Sequence, residues 1–193
     1  AVGYKNTGLG GGAPDKAAAE VELYADGSAE VRTSAAEIGQ GLPTVIAMCA
    51  AEELGLPYHR VRVLLSDTDL TPDGGPTTAS RQTYVTGNAA RLAAKILREA
   101  MASMLAEKYD VPPDSIRFEE GLARVNGHTV PIGEAAVMMK NEGREPKALY
   151  EYWAPKTQPL GTGGDMHFGF SFAAQAAEVE VDTQTGEVHV LRM

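Results

Sequence analysis

Two short stretches carry the side chains best suited to holding a ligand. The first is Gly39-Gln40-Gly41, followed at once by Leu42 and Pro43. Glycines there permit positive φ and a close backbone approach, while Gln40 offers donors and an acceptor to a planar heterocycle. A plain turn before a helix explains the same tripeptide. The second stretch runs from Asp73 to Thr83 and combines Gly74 and Gly75 with the hydroxyls of Thr77, Thr78, Ser80 and Thr83, plus Arg81 and Gln82. Backbone N–H groups at a helix start, hydroxyl donors and an Arg81 fork are what a phosphate or pyrophosphate requires. An Asx turn with a Ser80 cap and Arg81 in solvent accounts for the same residues.

The remaining candidates are weaker. Asp67 and Asp69 could hold a cation or exchange protons, but their spacing on an irregular loop favours turn capping. His59, His128, His167 and His189 lie far apart in sequence without partners at metal-ligand spacing, so they read as solvated or core histidines. Cys49 stands in the apolar run Ile46–Ala51 and reads as a buried thiol. As the chain's single cysteine, it excludes an internal disulfide, a four-cysteine zinc site and an iron–sulfur cluster held within the chain. No serine sits in a nucleophile elbow, and no glycine run has P-loop or dinucleotide-fold spacing. Gly8–Gly12 lacks a strand-turn-helix context and reads as a flexible loop or edge.

Composition narrows the partners. The 193 residues include 17 basic and 26 acidic side chains, a net charge of −9. That average field repels nucleic acid and anionic membrane. No apolar run reaches the ~18 residues of a membrane span and the N-terminus has no signal-peptide pattern, so the expectation is a cytoplasmic protein.

The elements that position these residues follow from periodicity. Alternation over Ala17–Ala25 and Ala29–Arg32, separated by Asp26-Gly27, predicts a hairpin. Thr44–Leu54, with Pro43 in its first turn and Gly55 as C-cap, predicts a buried helix. A strand at Arg60–Leu65 leads into the irregular loop Ser66–Ser80, a length that is usually functional. Ala93, Ile96, Leu97, Ala100, Met101, Met104 and Leu105 mark an amphipathic helix ending near Tyr109, before Pro112-Pro113. Short strands at Ile116–Phe118, Leu122–Val125 and His128–Val130, a helix at Ile132–Lys140 and a strand at Ala148–Trp153 follow. A Pro/Gly-rich stretch, Pro155–Gly169, precedes a final strand pair at Gln175–Val181 and Glu187–Leu191. Mixed hairpins and helices make the fold class α+β. With Ala1 in place of an initiator Met and Met193 directly after a strand, residues 1–193 are expected to be one partial domain cut from a longer subunit.

Taken in order, Glu37-Ile38-Gly39-Gln40-Gly41-Leu42-Pro43, Ala51-Glu52-Glu53-Leu54-Gly55, Asp67-Thr68-Asp69, Pro76–Gln82 and Thr86-Gly87-Asn88-Ala89 resemble one family. The chain is similar, from these motifs through Glu178–Asp182, to the molybdenum-binding large subunit of the xanthine dehydrogenase / aldehyde oxidase family. The resemblance implies that Gln40, between Gly39 and Gly41, hydrogen-bonds a molybdopterin near the metal. It implies that Thr78, Ala79, Ser80, Arg81 and Gln82 wrap the pterin and its phosphate tail. The Ser-Arg-Gln form resembles bacterial members, whose cofactor is molybdopterin cytosine dinucleotide. No protein metal ligand is expected, because the pterin sulfurs and small inorganic ligands hold the molybdenum. The family's glutamate base, in a Gly-Glu motif, has no match here, so no catalytic residue is assigned.

The resemblance further implies hydroxylation of an N-heterocycle or an aldehyde with water as oxygen source. Electrons would pass to partners carrying [2Fe–2S] clusters and FAD, in an oligomeric enzyme acting on a small-molecule substrate. The excised chain alone is expected to be inactive and free of cofactor, with apolar patches exposed around Trp153, Phe168, Phe170 and Phe172. Two rivals stand beside this. One is a structural or assembly module of the same fold; the other is a generic phosphate- or nucleotide-binding domain resting on Thr77–Gln82.

Overall fold

The computed structural model describes all residues, Ala1–Met193. Its centre is a four-stranded sheet in the order β4-β3-β2-β8, built from β2 (Lys16–Leu23), β3 (Ala29–Thr33), β4 (Val61–Leu65) and β8 (Lys147–Trp153). β2 pairs antiparallel with both β3 and β8, whereas β3 and β4 run parallel. Strict alternation in β2 sends Ala17, Ala19, Val21 and Leu23 into the core, all fully buried. On the opposite face Arg32 pairs with Glu20, Glu22 and Glu30. Asp26-Gly27 closes the β2–β3 hairpin with Gly27 at φ 81°.

The crossover from β3 to β4 is α1 (Leu42–Leu54), as a parallel pair demands. Gly41 and Gly55 bracket it in the left-handed region, at φ 76° and 66°. α2 (Gln82–Tyr109), 28 residues and about 42 Å long, lies against α1, β2 and β8. Ala89, Ala90, Ala93 and Ala94 are all fully buried, and such small side chains let α2 approach its neighbours closely. Farther along, Leu97, Met101, Met104 and Leu105 fill the core. Asp110, at φ 53°, ends the helix ahead of Pro112-Pro113.

A small three-stranded sheet of β5 (Arg117–Glu119), β6 (Leu122–Val125) and β7 (His128–Pro131) is followed by α3 (Ile132–Asn141) at the far end of α2. Two further strand pairs lie outside these layers. β1 (Val2–Thr7) pairs antiparallel with β9 (Gly169–Ala174), and β10 (Glu178–Val181) with β11 (Val188–Arg192). The β1–β9 ribbon is absent from the sequence-based expectation. Trp153, Phe170 and Phe172 are exposed as expected, whereas Phe168 is half-buried against Tyr84. No helix is long and apolar enough to cross a membrane.

Candidate functional site

The two loops singled out by sequence meet. Gln40 and residues Thr77–Thr83 line one cleft of about 810 Å3, together with Ile38, Cys49 and one face of α2. The link between them is short. Thr77 Oγ1 accepts from the backbone N–H of Ala36 at 2.8 Å, and the Gln40 side-chain amide donates to the Ala36 carbonyl at 2.9 Å. From the other side, Gln82 Nε2 donates to Thr77 Oγ1 at 2.9 Å.

At the start of α1, the Glu37 carboxylate occupies the anion position. Its carboxylate accepts from the backbone N–H groups of Gly39, Gly41 and Leu42 at 2.6, 3.2 and 2.6 Å. Desolvation pushes the Glu37 carboxyl upward, but these backbone donors outweigh it and hold it below the ordinary range. Gln40 is further fixed by accepting from the N–H of Ile38 at 2.6 Å. Gly39 and Gly41 are exposed and take φ 98° and 76°.

The start of α2 is different. Ala79 and Ser80 both lie in the left-handed region, at φ 51° and 53°, which is unusual for non-glycine residues and clusters at ligand sites. The backbone N–H groups of Ala79, Ser80 and Thr83 have no protein acceptor. Thr78, Ser80 and Thr83 are exposed in the cleft, so their hydroxyls join these N–H groups at the positive end of a long helix.

Arg81 and Gln82 correct the expectation. Arg81 is fully buried, and its guanidinium donates to Asp15 Oδ1 at 2.6 Å and to the carbonyls of Gly74, Pro76 and Lys16. Four of its five N–H donors are thereby committed inside the protein, so it offers no fork to an anion. Nor does it lie in solvent, and Ser80 does not cap α2: the N-cap is Arg81, with no side-chain cap bond. Gln82 is likewise buried, bonded to Pro76, Thr77 and Thr86. The wrap over the cleft therefore comes from Thr78, Ala79 and Ser80, with Arg81 and Gln82 beneath it.

Gly8–Gly12 is a loop between β1 and β2, as expected, and hydrogen bonds pin it at three points. Gly8 donates to the Ala79 carbonyl at 3.0 Å, Leu9 to Asp15 Oδ2 at 2.8 Å and Gly11 to the Met166 carbonyl at 2.9 Å. Asp67 does cap its own turn, accepting from the N–H groups of Asp69 and Leu70 at 3.0 and 3.1 Å. No group of three or more His, Cys, Asp or Glu side chains is placed to hold a metal ion.

The rest of the cleft wall was missed from sequence. Tyr84, Gly87, Asn88 and Arg91 recur at helical spacing along α2, and that period was the signal available. Tyr84 stacks on Phe168 at 4.8 Å and meets Tyr152 at 6.2 Å between centroids. Burial, with Tyr84 alongside, pushes the Tyr152 phenol up to about 12. Cys49 is half-buried and its thiol is raised by burial, against a smaller opposing pull from Arg91. Arg91, the second arginine of the cleft lining, pairs with Glu53 at 3.6 Å and donates to Asn88 Oδ1 at 3.4 Å. No carboxylate or imidazole lines the cleft.

Comparison with known proteins places this architecture. All of residues 1–193 match the model of the molybdopterin cofactor-binding domain. The chain belongs to that family. A probable hypoxanthine oxidase of Escherichia coli K12 is 33% identical over 179 residues, which is 91% of this chain and 18% of that protein. The gamma subunit of the 6-hydroxypseudooxynicotine dehydrogenase complex of Paenarthrobacter nicotinovorans is 29% identical over 177 residues, 89% of this chain and 21% of that one. The crystal structure of quinoline 2-oxidoreductase from Pseudomonas putida 86 matches with a TM-score of 0.74 at 25% identity, covering 98% of this chain and 25% of that chain. The molybdopterin cofactor-binding domain thus spans about a fifth of the length of the curated relatives it matches. Its mixed helices and sheets are those of the molybdenum-cofactor-binding domain of molybdenum hydroxylases.

Proposed function

We propose that residues 1–193 form one wall of the cofactor site in a molybdenum hydroxylase and hold the anionic tail of molybdopterin cytosine dinucleotide. The observation that carries this reading is the single cleft joining Gln40 to Thr78–Ser80, with unpartnered backbone N–H groups at the head of α2. The donor set fits a phosphate-bearing cofactor: the free N–H groups of Ala79, Ser80 and Thr83, the hydroxyls of Thr78, Ser80 and Thr83, and Arg91, with no carboxylate in the cleft lining. A cleft of about 810 Å3 falls within the range of small-molecule sites. Gln40, flanked by Gly39 and Gly41, would meet the pterin. Arg81 and Gln82 would shape the loop without touching the ligand.

When bound, the cofactor supplies the redox chemistry: hydroxylation of an N-heterocycle or aldehyde with water-derived oxygen, and two electrons for partners bearing [2Fe–2S] and FAD. The protein's share here is orientation and electrostatics. The role assigned to this domain is to hold the cofactor, and no carboxylate or imidazole lines the cleft wall. The names of the relatives, an oxidase and a subunit of a dehydrogenase complex, support the reaction class and the partner subunits.

The test is Thr83→Glu in the full-length holoenzyme, purified from a host that makes the cofactor. An acidic side chain in the first turn stabilises a helix but repels a bound phosphate. Molybdenum and cytosine-nucleotide content should fall by about tenfold or more while Tm holds or rises. Parent-level content would overturn the proposal.

A further inference from the structure

We infer that Asp15 and Arg81 are positioning residues that set the direction in which the Ala79–Ser80 backbone faces the cleft. This rests on the reading of Thr78–Ser80 as the anion-holding loop. The two side chains form an ion pair buried on both sides, Asp15 4% and Arg81 0% exposed, at 2.6 Å. Neither touches the open cleft with its charge. Instead each charge is spent on backbone.

The connections close a ring. Arg81 holds the carbonyls of Gly74 and Pro76 at 3.1 and 2.9 Å, which fixes the loop immediately before Thr78. Asp15 uses its second oxygen to accept from Leu9 at 2.8 Å, and the neighbouring N–H of Gly8 reaches the Ala79 carbonyl at 3.0 Å. Ala79 is two residues from Arg81, so the path returns to its start.

Peptide geometry converts that ring into a direction. In a planar trans peptide the C=O and the following N–H point opposite ways. The Ala79 carbonyl faces Gly8, so the Ser80 N–H in the same unit faces away from Gly8. The Thr78 carbonyl accepts from Arg81 N–H at 3.2 Å, so the Ala79 N–H likewise points outward. Two left-handed residues in succession, which L side chains rarely adopt, need such external fixing. Gly8 itself admits no side chain, because a Cβ there would sit 2.2 Å from the Phe168 ring.

The experiment compares Asp15→Asn with the parent holoprotein, reading cofactor content and backbone amide exchange. Asn keeps the shape but removes the counter-charge and one of the two acceptor oxygens. The hydrogen-bonded amides of the ring, those of Gly8, Leu9 and Arg81, should exchange about tenfold faster or more, with those of residues 89–105 unchanged, and molybdenum content should fall in parallel. A merely structural pair would loosen α2 as much as the loop, and that result overturns the inference. So does parent-like exchange with parent-like content. If Asp15→Asn does not accumulate, Arg81→Lys is read the same way, since it keeps a charge for Asp15 but loses the fork to the carbonyls. Should Thr83→Glu strip the cofactor while Asp15→Asn retains it, the site stands and the positioning role falls. Faster loop exchange in Asp15→Asn together with full retention in Thr83→Glu would remove the anion site and leave the ring as a loop brace only, which also overturns the inference.

Discussion

The side-chain amide of Gln40 and the hydroxyl of Thr77 both reach the carbonyl oxygen of Ala36, at 2.9 and 3.3 Å. This shared acceptor ties the loop before α1 to the loop before α2. Thr77 also accepts from Ala36 N–H and Gln82 Nε2, so its hydroxyl is a hub. Thr77→Val is expected to leave those donors unpartnered and to cost about 1–3 kcal/mol in urea unfolding. Thr77→Ser should recover most of the loss. A valine variant as stable as the parent would show that the two loops are held together by other means.

Glu37 makes the α1 turn sensitive to acid. Its folded pKa is depressed by backbone donors working against desolvation, so the stabilisation is complete above the unfolded value of about 4.5 and is lost as pH falls through the lower folded value. Amide resonances of Gly39, Gly41 and Leu42 should shift together in that acid window, and Glu37→Gln should abolish the transition. A pH-independent turn in the parent would contradict this.

Gly75 is a test of how tightly the buried pair is enclosed. A Cβ there would lie 2.6 Å from the Lys16 carbonyl and 2.8 Å from an Arg81 nitrogen, at a backbone φ of 68°. Gly75→Ala is expected to cost about 2–4 kcal/mol, combining overpacking with left-handed strain. Gly143→Ala is the control, with φ 74° and nothing within 4 Å, and should cost only about 1–2 kcal/mol. Equal losses in urea titrations would show that steric enclosure at Gly75 is unimportant.

Much of this fold is legible in the sequence because it rests on local signals. Asp26-Gly27, the glycines around α1 and the three-and-four spacing of α2 each act over a few residues. The β1–β9 ribbon is not legible: Val2, Tyr4 and Phe172 are 88%, 74% and 80% exposed, so no buried face imposes an alternating pattern. Arg81 shows the same limit at the site. Its type and place before a helix suit a phosphate, but its partner Asp15 lies 66 positions away and no local pattern reports that distance. That Gln40 and Thr78–Ser80 border one cleft is legible in part, because glycines and hydroxyls stand just before two helices. Glu37 went unnoticed because its cap reaches across five residues to Leu42 and not the usual three.

Cys49 gives a chemical reading of the cleft. With its thiol raised by burial, it should be mostly protonated at neutral pH and react slowly with N-ethylmaleimide. The rate should keep climbing past pH 9, and cofactor-loaded protein should react more slowly than cofactor-stripped protein, because Cys49 lines the same cavity. Equal rates with and without cofactor would place the ligand elsewhere.

The most direct measurement is a crystal structure of the cofactor-loaded protein, read at the head of α2. A phosphate oxygen of the dinucleotide should lie within hydrogen-bond distance, about 2.7–3.2 Å, of the Ala79 or Ser80 backbone nitrogen. The Arg81 guanidinium should remain on Asp15. A dinucleotide whose phosphates sit away from Thr78–Ser80, leaving those N–H groups to water, would contradict the account.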